Sequence, residues 1–113
     1  MKYGVVDKSF EKNGKFWWIG DFEPSIFKTD KFEFGMHKHK KGEPTIPHFH
    51  RRSTEINFVF KGEIRVGDKT FGEGGYFIFE SYEVAKNIEF LSDTILFVFR
   101  DGSFPDDKVI VEE

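Results

Sequence analysis

Apolar and polar side chains alternate along this chain in short runs closed by Gly, Asp or Pro. The clearest run is Lys31 to His39, where Phe32, Phe34 and Met36 fall on one parity and Glu33, Gly35, His37 and His39 on the other. Successive side chains of a strand point to opposite faces, whereas a helix would scatter these residues around its circumference, so the run predicts a strand. Further strands are predicted at Lys15 to Gly20, Glu55 to Phe60, Ile64 to Val66, Lys69 to Phe71, Tyr76 to Phe79, Asn87 to Leu91 and Thr94 to Arg100. Gly67-Asp68 reads as the turn of a hairpin. Pro44 and Pro47 interrupt the chain before His48, because Pro is tolerated only in a loop or at a strand start there. The tail, with Pro105 and Asp106-Asp107, reads as a loose end or a short edge strand. No segment carries a helical period longer than about three turns, and the whole pattern predicts an all-β sandwich or barrel.

Composition narrows this picture. The 113 residues suit one domain, and the 16 Phe, two Trp and three Tyr offer ample apolar area for its core, at roughly 150 to 250 Å² each. Phe16, Trp17, Trp18 and Ile19 form a continuous apolar run that reads as a strand buried on both faces. A barrel of this size has few interior places for all four, which predicts a homodimer. Charged residues of both signs make up 33% of the chain, which excludes a disordered or membrane-spanning class. The net charge of -3 and the lack of a basic stripe argue against a nucleic-acid partner. Lys38 to Lys41, with Arg51 and Arg52, form an interrupted basic cluster that is a solvated loop or an attracting patch for an anionic ligand. With no cysteine, any metal must bind through imidazole and carboxylate. The N-terminal residues lack the apolar run of a signal peptide, so a cytoplasmic location is expected.

The chemistry concentrates between Gly42 and Gly62, which read G-x5-H-x-H-x4-E-x6-G with His48, His50 and Glu55 in the named positions. Two His two residues apart share a strand face, and Glu55 can fold back beside them. Two imidazoles and a carboxylate suit a divalent Fe, Mn, Ni, Zn or Cu ion and leave coordination positions open for water or substrate. The same three residues without a metal would form a hydrogen-bonded set in the barrel. His37 and His39 make a second H-x-H pair beside Glu33, with no matching carboxylate downstream, and read as a solvent face or cavity rim. Asn57, Tyr76, Asn87 and Arg51 are candidates for contacting a ligand.

The stretch from Gly42 to Gly62 resembles the first motif of the cupin superfamily at every fixed position. The resemblance implies an antiparallel, jelly-roll-like double-stranded β-helix of six to eight strands. In that frame residues 1–40 add strands to the sheet, 42–62 carry the metal motif and 63–104 form the second half of the barrel. The second cupin motif, G-x5-P-x-G-x2-H-x3-N, is departed from. Counted from Gly72, it places Ile78 for Pro, Glu80 for Gly, Glu83 for the ligating His and Asn87 for Asn. Glu83 is then the candidate fourth ligand, with Glu80 or a water as rivals, since a register slip would turn Glu83 outward. Three functions follow from the resemblance. One is a metal-dependent enzyme, an oxygenase or isomerase, acting on a small oxygenated metabolite. Another is a metal-free isomerase or epimerase of a nucleotide-linked sugar, with His48 or His50 as base. The third is a non-catalytic module for a small, anionic or sugar-like ligand.

Overall fold

The computed structural model describes residues 1–112, which form twelve strands and a short 3-10 turn at Lys8–Phe10. The strands are β1 Glu11–Lys12, β2 Lys15–Gly20, β3 Phe27–Lys28, β4 Glu33–His39, β5 His48–His50 and β6 Glu55–Lys61. They continue as β7 Ile64–Val66, β8 Lys69–Phe71, β9 Tyr76–Phe79, β10 Ile88–Phe90, β11 Thr94–Arg100 and β12 Lys108–Ile110. The large sheet runs β1-β2-β4-β11-β6-β9, with β3 on the far side of β2; the smaller sheets are β10-β7-β8 and β12-β5. Every pairing is antiparallel except β2 with β3. The expected all-β class therefore holds, and no helix among the described residues is long and apolar enough to cross a membrane.

The alternation read from the sequence decides what each strand buries. In β11, Thr94, Leu96 and Val98 are buried while Ile95, Phe97 and Phe99 lie on the other face, half-buried. Leu96 and Val98 join Val59, Ile64 and Phe90 in the core, and Trp17, Phe71, Phe77 and Ile88 pack around them. Burying one such aliphatic side chain stabilises the fold by roughly 1.5 to 3 kcal/mol. Gly67, at φ 63°, opens the two-residue turn between β7 and β8 in a conformation that glycine adopts without strain. Gly35 is required for a different reason. A Cβ there would run into the Phe16 carbonyl and the Trp17 backbone, so only glycine lets β2 lie this close to β4.

The run Phe16 to Ile19 divides between two environments. The β2–β4 register shifts between Trp17 and Ile19, and this irregularity separates the two tryptophans. Trp17 turns inward onto His37, while Trp18 joins Phe34 and Phe97 on the outer face. That outer face continues through Phe58, Phe60, Tyr76 and Ile78, which are 44%, 60%, 61% and 45% exposed. The Trp18 Nε1 donor is buried there without a partner. Apolar sheet faces of this kind pack against another sheet about 10 Å away. The face therefore predicts a homodimer stacked sheet against sheet, about a two-fold axis. Sedimentation should give a dimer mass that falls to the monomer in a Phe58→Lys, Phe60→Glu double variant; a wild-type chain that stays monomeric at every concentration would rule this out.

Candidate functional site

The barrel mouth is set by β5, a three-residue strand held on both sides. On one side β12 pairs with it, placing Lys108 opposite His50 and Ile110 opposite His48. On the other, His48 and Ala85 exchange backbone hydrogen bonds of 3.2 and 2.7 Å. His48 and His50 lie on one face as expected, with ring centroids 5.4 Å apart and planes at 90°. Their surroundings differ. His48 lines the cavity, and its Nδ1 lies 2.9 Å from the Ile46 carbonyl oxygen. A carbonyl can only accept, so the neutral ring carries its proton on Nδ1 and leaves the Nε2 lone pair free. Burial lowers the His48 pKa, against the Ile46 bond, and favours that neutral form.

His50 is only 5% exposed and sits between two carboxylates, with Nε2 3.4 Å from Glu55 Oε2 and Nδ1 3.3 Å from Asp107 Oδ2. Neither contact has hydrogen-bond geometry, and both ring nitrogens are buried without a partner. Asp107 is itself fixed by the Ser53 hydroxyl at 2.5 Å and by the Arg52 backbone N–H at 2.7 Å.

Glu55 begins β6 and lies beneath the cavity in a charged row that the register of three strands creates. Arg100 is the cross-strand partner of both Glu55 and Glu33. Its Nε donates to Glu55 Oε2 at 2.7 Å and its Nη1 to Glu33 Oε1 at 2.8 Å, while its guanidinium lies 4.8 Å from the Trp17 ring centroid. Asn57 donates to the other Glu55 oxygen at 3.1 Å, and the Ser103 hydroxyl to Glu33 at 3.1 Å. Burial alone would raise the Glu55 carboxyl, but His50 and Arg100 outweigh it and hold the group far below the usual carboxylate range.

The cavity above this floor has a volume of about 220 Å³. Its walls are apolar through Ile64, Phe77, Phe79, Phe90 and Leu96, and its polar lining includes His37, His39, His48, Glu55, Asn57 and Arg100. Lys15 and Lys108 stand at its margin. His37 is driven toward the neutral form by burial, with Lys15 adding to the effect, and burial also lowers His39 although its Nδ1 contacts Glu43 at 2.6 Å. Both face the cavity, so the rim reading of this pair holds and the solvent-face reading does not.

Several expected positions lie elsewhere. Glu83 is exposed, and its carboxylate accepts the Glu80 backbone N–H at 3.0 Å, closing a local turn. Tyr82, at φ 67°, turns the chain in place of the missing Pro and Gly, so the residue this segment presents to the cavity is Ala85. Glu80 is exposed as well. Arg51 is exposed outside the cavity, Tyr76 lies on the outer sheet face, and Asn87, at φ 56°, accepts the Gly67 backbone N–H with its carbonyl beside the β7–β10 pairing. Of the four ligand-contact candidates, only Asn57 lines the cavity. The residues missed were Lys15, Arg100, Asp107 and Lys108. The parity of β11 could have flagged Arg100, since it shares a face with Thr94, Leu96 and Val98; nothing local marked Asp107 or Lys108.

A divalent ion fits this donor set in part. Each imidazole has Nδ1 facing an oxygen acceptor, the arrangement that orients ligating histidines, and each has an Nε2 with no hydrogen-bond partner among the described residues. The carboxylate is the obstacle, because Arg100 occupies the Glu55 oxygen nearest His50. Among the described residues no three His, Asp or Glu side chains converge as a metal site.

No known family pattern and no curated protein matches this chain in sequence. Solved structures do match in fold. KdgF from a Halomonas species superposes with a TM-score of 0.68 at 15% identity, over 94% of this chain and 98% of that one. Streptomyces PAC13, in a structure with uridine, gives 0.67 at 14% identity over 99% and 92%. A conserved protein from Klebsiella pneumoniae with a double-stranded β-helix domain gives 0.61 at 14% identity over 75% and 78%. The chain thus has a double-stranded β-helix fold.

Proposed function

We propose that the barrel mouth binds a small oxygenated metabolite and that His48 accepts a hydrogen bond or a proton from it. The observation that carries this reading is the His48 ring, held neutral with Nδ1–H on the Ile46 carbonyl and Nε2 free at the wall of a closed-floored cavity. A volume of about 220 Å³ is below the roughly 300 to 1,000 Å³ of drug-sized pockets and suits a ligand of few carbons. Asn57 and Arg100 supply fixed donors at the floor, and Phe77, Phe79 and Phe90 make the walls apolar. In that setting His48 can take a proton from a hydroxyl, or from a carbon next to a carbonyl, and return it, as an isomerase requires. The same site serves binding alone if the ligand has no such proton. The uridine in the PAC13 structure supports a polar, hydroxylated ligand for a barrel of this shape.

A second reading places a divalent Fe, Mn, Ni, Zn or Cu ion on His48, His50 and Glu55, and the unpartnered Nε2 of His50 favours it. Such an ion would supply Lewis-acid or redox chemistry. It requires Glu55 to exchange its bond with Arg100 for the ion.

Two measurements separate the readings. Pocket amides at Asn57, Phe79 and Ala85 should shift in NMR spectra on titration with erythritol, a small neutral polyol, and His48→Leu should weaken that binding several-fold. Pocket amides that move with neither erythritol nor a small oxyanion would remove the first reading. Dialysis against zinc followed by elemental analysis should leave far less than one equivalent bound; one tightly held equivalent, lost in His48→Ala, would establish the second.

A further inference from the structure

We infer that Lys15, His37 and Lys108 form an oxyanion site at the barrel mouth, which takes the carboxylate or phosphate of the bound ligand. This rests on the reading of the cavity as a ligand site and names the class of ligand. The register brings the three residues to one face. Lys15 is the direct cross-strand partner of His37, and Lys108 that of His50, so each lysine shares the inward parity of a buried histidine. All three residues line the same cavity.

The charge balance points to an anion. The acids that line the cavity are Glu43 and Glu55, and each is already engaged, by His39 at 2.6 Å and by Arg100 at 2.7 Å. Lys15 and Lys108 have no carboxylate within 4.0 Å among the described residues. His37 adds an independent sign. It is 7% exposed, its ring is fixed edge-on against Trp17 at 4.8 Å, and its Nε2 is buried with no hydrogen-bond partner. A buried polar atom left in that state is costly unless a ligand meets it, and a neutral imidazole with its proton on Nε2 can donate to an oxyanion. Burial and the nearby Lys15 and Arg100 also lower the Lys108 pKa, the response of a cation among cations that an anion would relieve. The exposed Arg51 and Arg52 play no part; Arg52 lies over the Phe104 ring instead.

The test uses inorganic phosphate and malonate, followed by amide shifts of His37, Asn57 and Phe79, with erythritol as the neutral reference. At least one anion should bind saturably, and which of the two binds tighter distinguishes a phosphate from a carboxylate ligand. Lys15→Met and Lys108→Met keep the aliphatic stems, and each should weaken anion binding roughly tenfold, the loss of one charge-assisted hydrogen bond, and erythritol binding by much less. If erythritol binds and neither anion does, or if the double variant binds anions as well as the wild type, the oxyanion site is wrong and the cavity reading stands. If none of the three probes moves the pocket amides, both fall together.

Discussion

Replacing Arg100 by Met should destabilise the protein by about 3 to 5 kcal/mol and lower its melting temperature by on the order of 10 to 20 °C. Arg100 is the shared counter-ion of Glu33 and Glu55, and the three side chains are only 16%, 12% and 10% exposed. Removing the guanidinium leaves two carboxylates side by side in a region with little water, which is the costly way to break a buried ion pair. Met replaces most of the packing against Trp17, so the loss reports charge more than volume. Adding Glu33→Gln and Glu55→Gln to the variant should recover much of the stability, because neutral amides do not need the cation. Thermal unfolding of the single and triple variants checks this. A single variant within about 1 kcal/mol of the wild type would show that the network contributes little to the folded state.

Stability should also fall on mild acidification, and His37 sets the window. Its folded pKa is pushed well below 6.5 by burial, so the folded state binds fewer protons than the unfolded state once the pH drops below the unfolded value. For an imidazole shifted in this direction, stability is complete above about pH 6.5, declines as the unfolded chain protonates, and stops declining below the folded pKa. Stability should therefore fall as the pH drops from about 7, with His39 and His48, also lowered by burial, adding to the loss in the same direction. Urea denaturation at a series of pH values measures it. His37→Phe fills the place against Trp17 without a titrating group and should flatten the profile; an equally steep profile in that variant would assign the loss to other groups.

Period-two alternation made most of the fold legible. The observed bounds of β2, β7, β8, β9 and β11 coincide with the short runs read from the sequence, which turn residues such as Gly and Asp separate. The two-residue strands β1 and β3 were not legible, since two residues cannot show a period. β12 was legible only as a possible edge strand, yet it and the residue before it bring Lys108 opposite His50 and Asp107 onto Ser53, 54 residues away in the chain. The H-x-H pair was legible for the same reason as the strands. What its histidines contact was not, because Glu55 meets Arg100 through a register between distant strands that no local pattern encodes. The position of Glu83 failed for a local reason. Its segment lacks the Pro and Gly of the expected turn, and Tyr82 in the left-handed region turns the side chain outward.

The imidazole nitrogens of the four histidines offer the most direct test of the proposed site. Nitrogen-15 spectra of chelator-treated protein at about pH 7 distinguish the two neutral tautomers and the imidazolium from one another. His48 should appear neutral, with its proton on Nδ1 and an unprotonated Nε2. A His48 that is cationic, or that carries its proton on Nε2, would contradict the assignment of this residue as the proton acceptor of the barrel mouth.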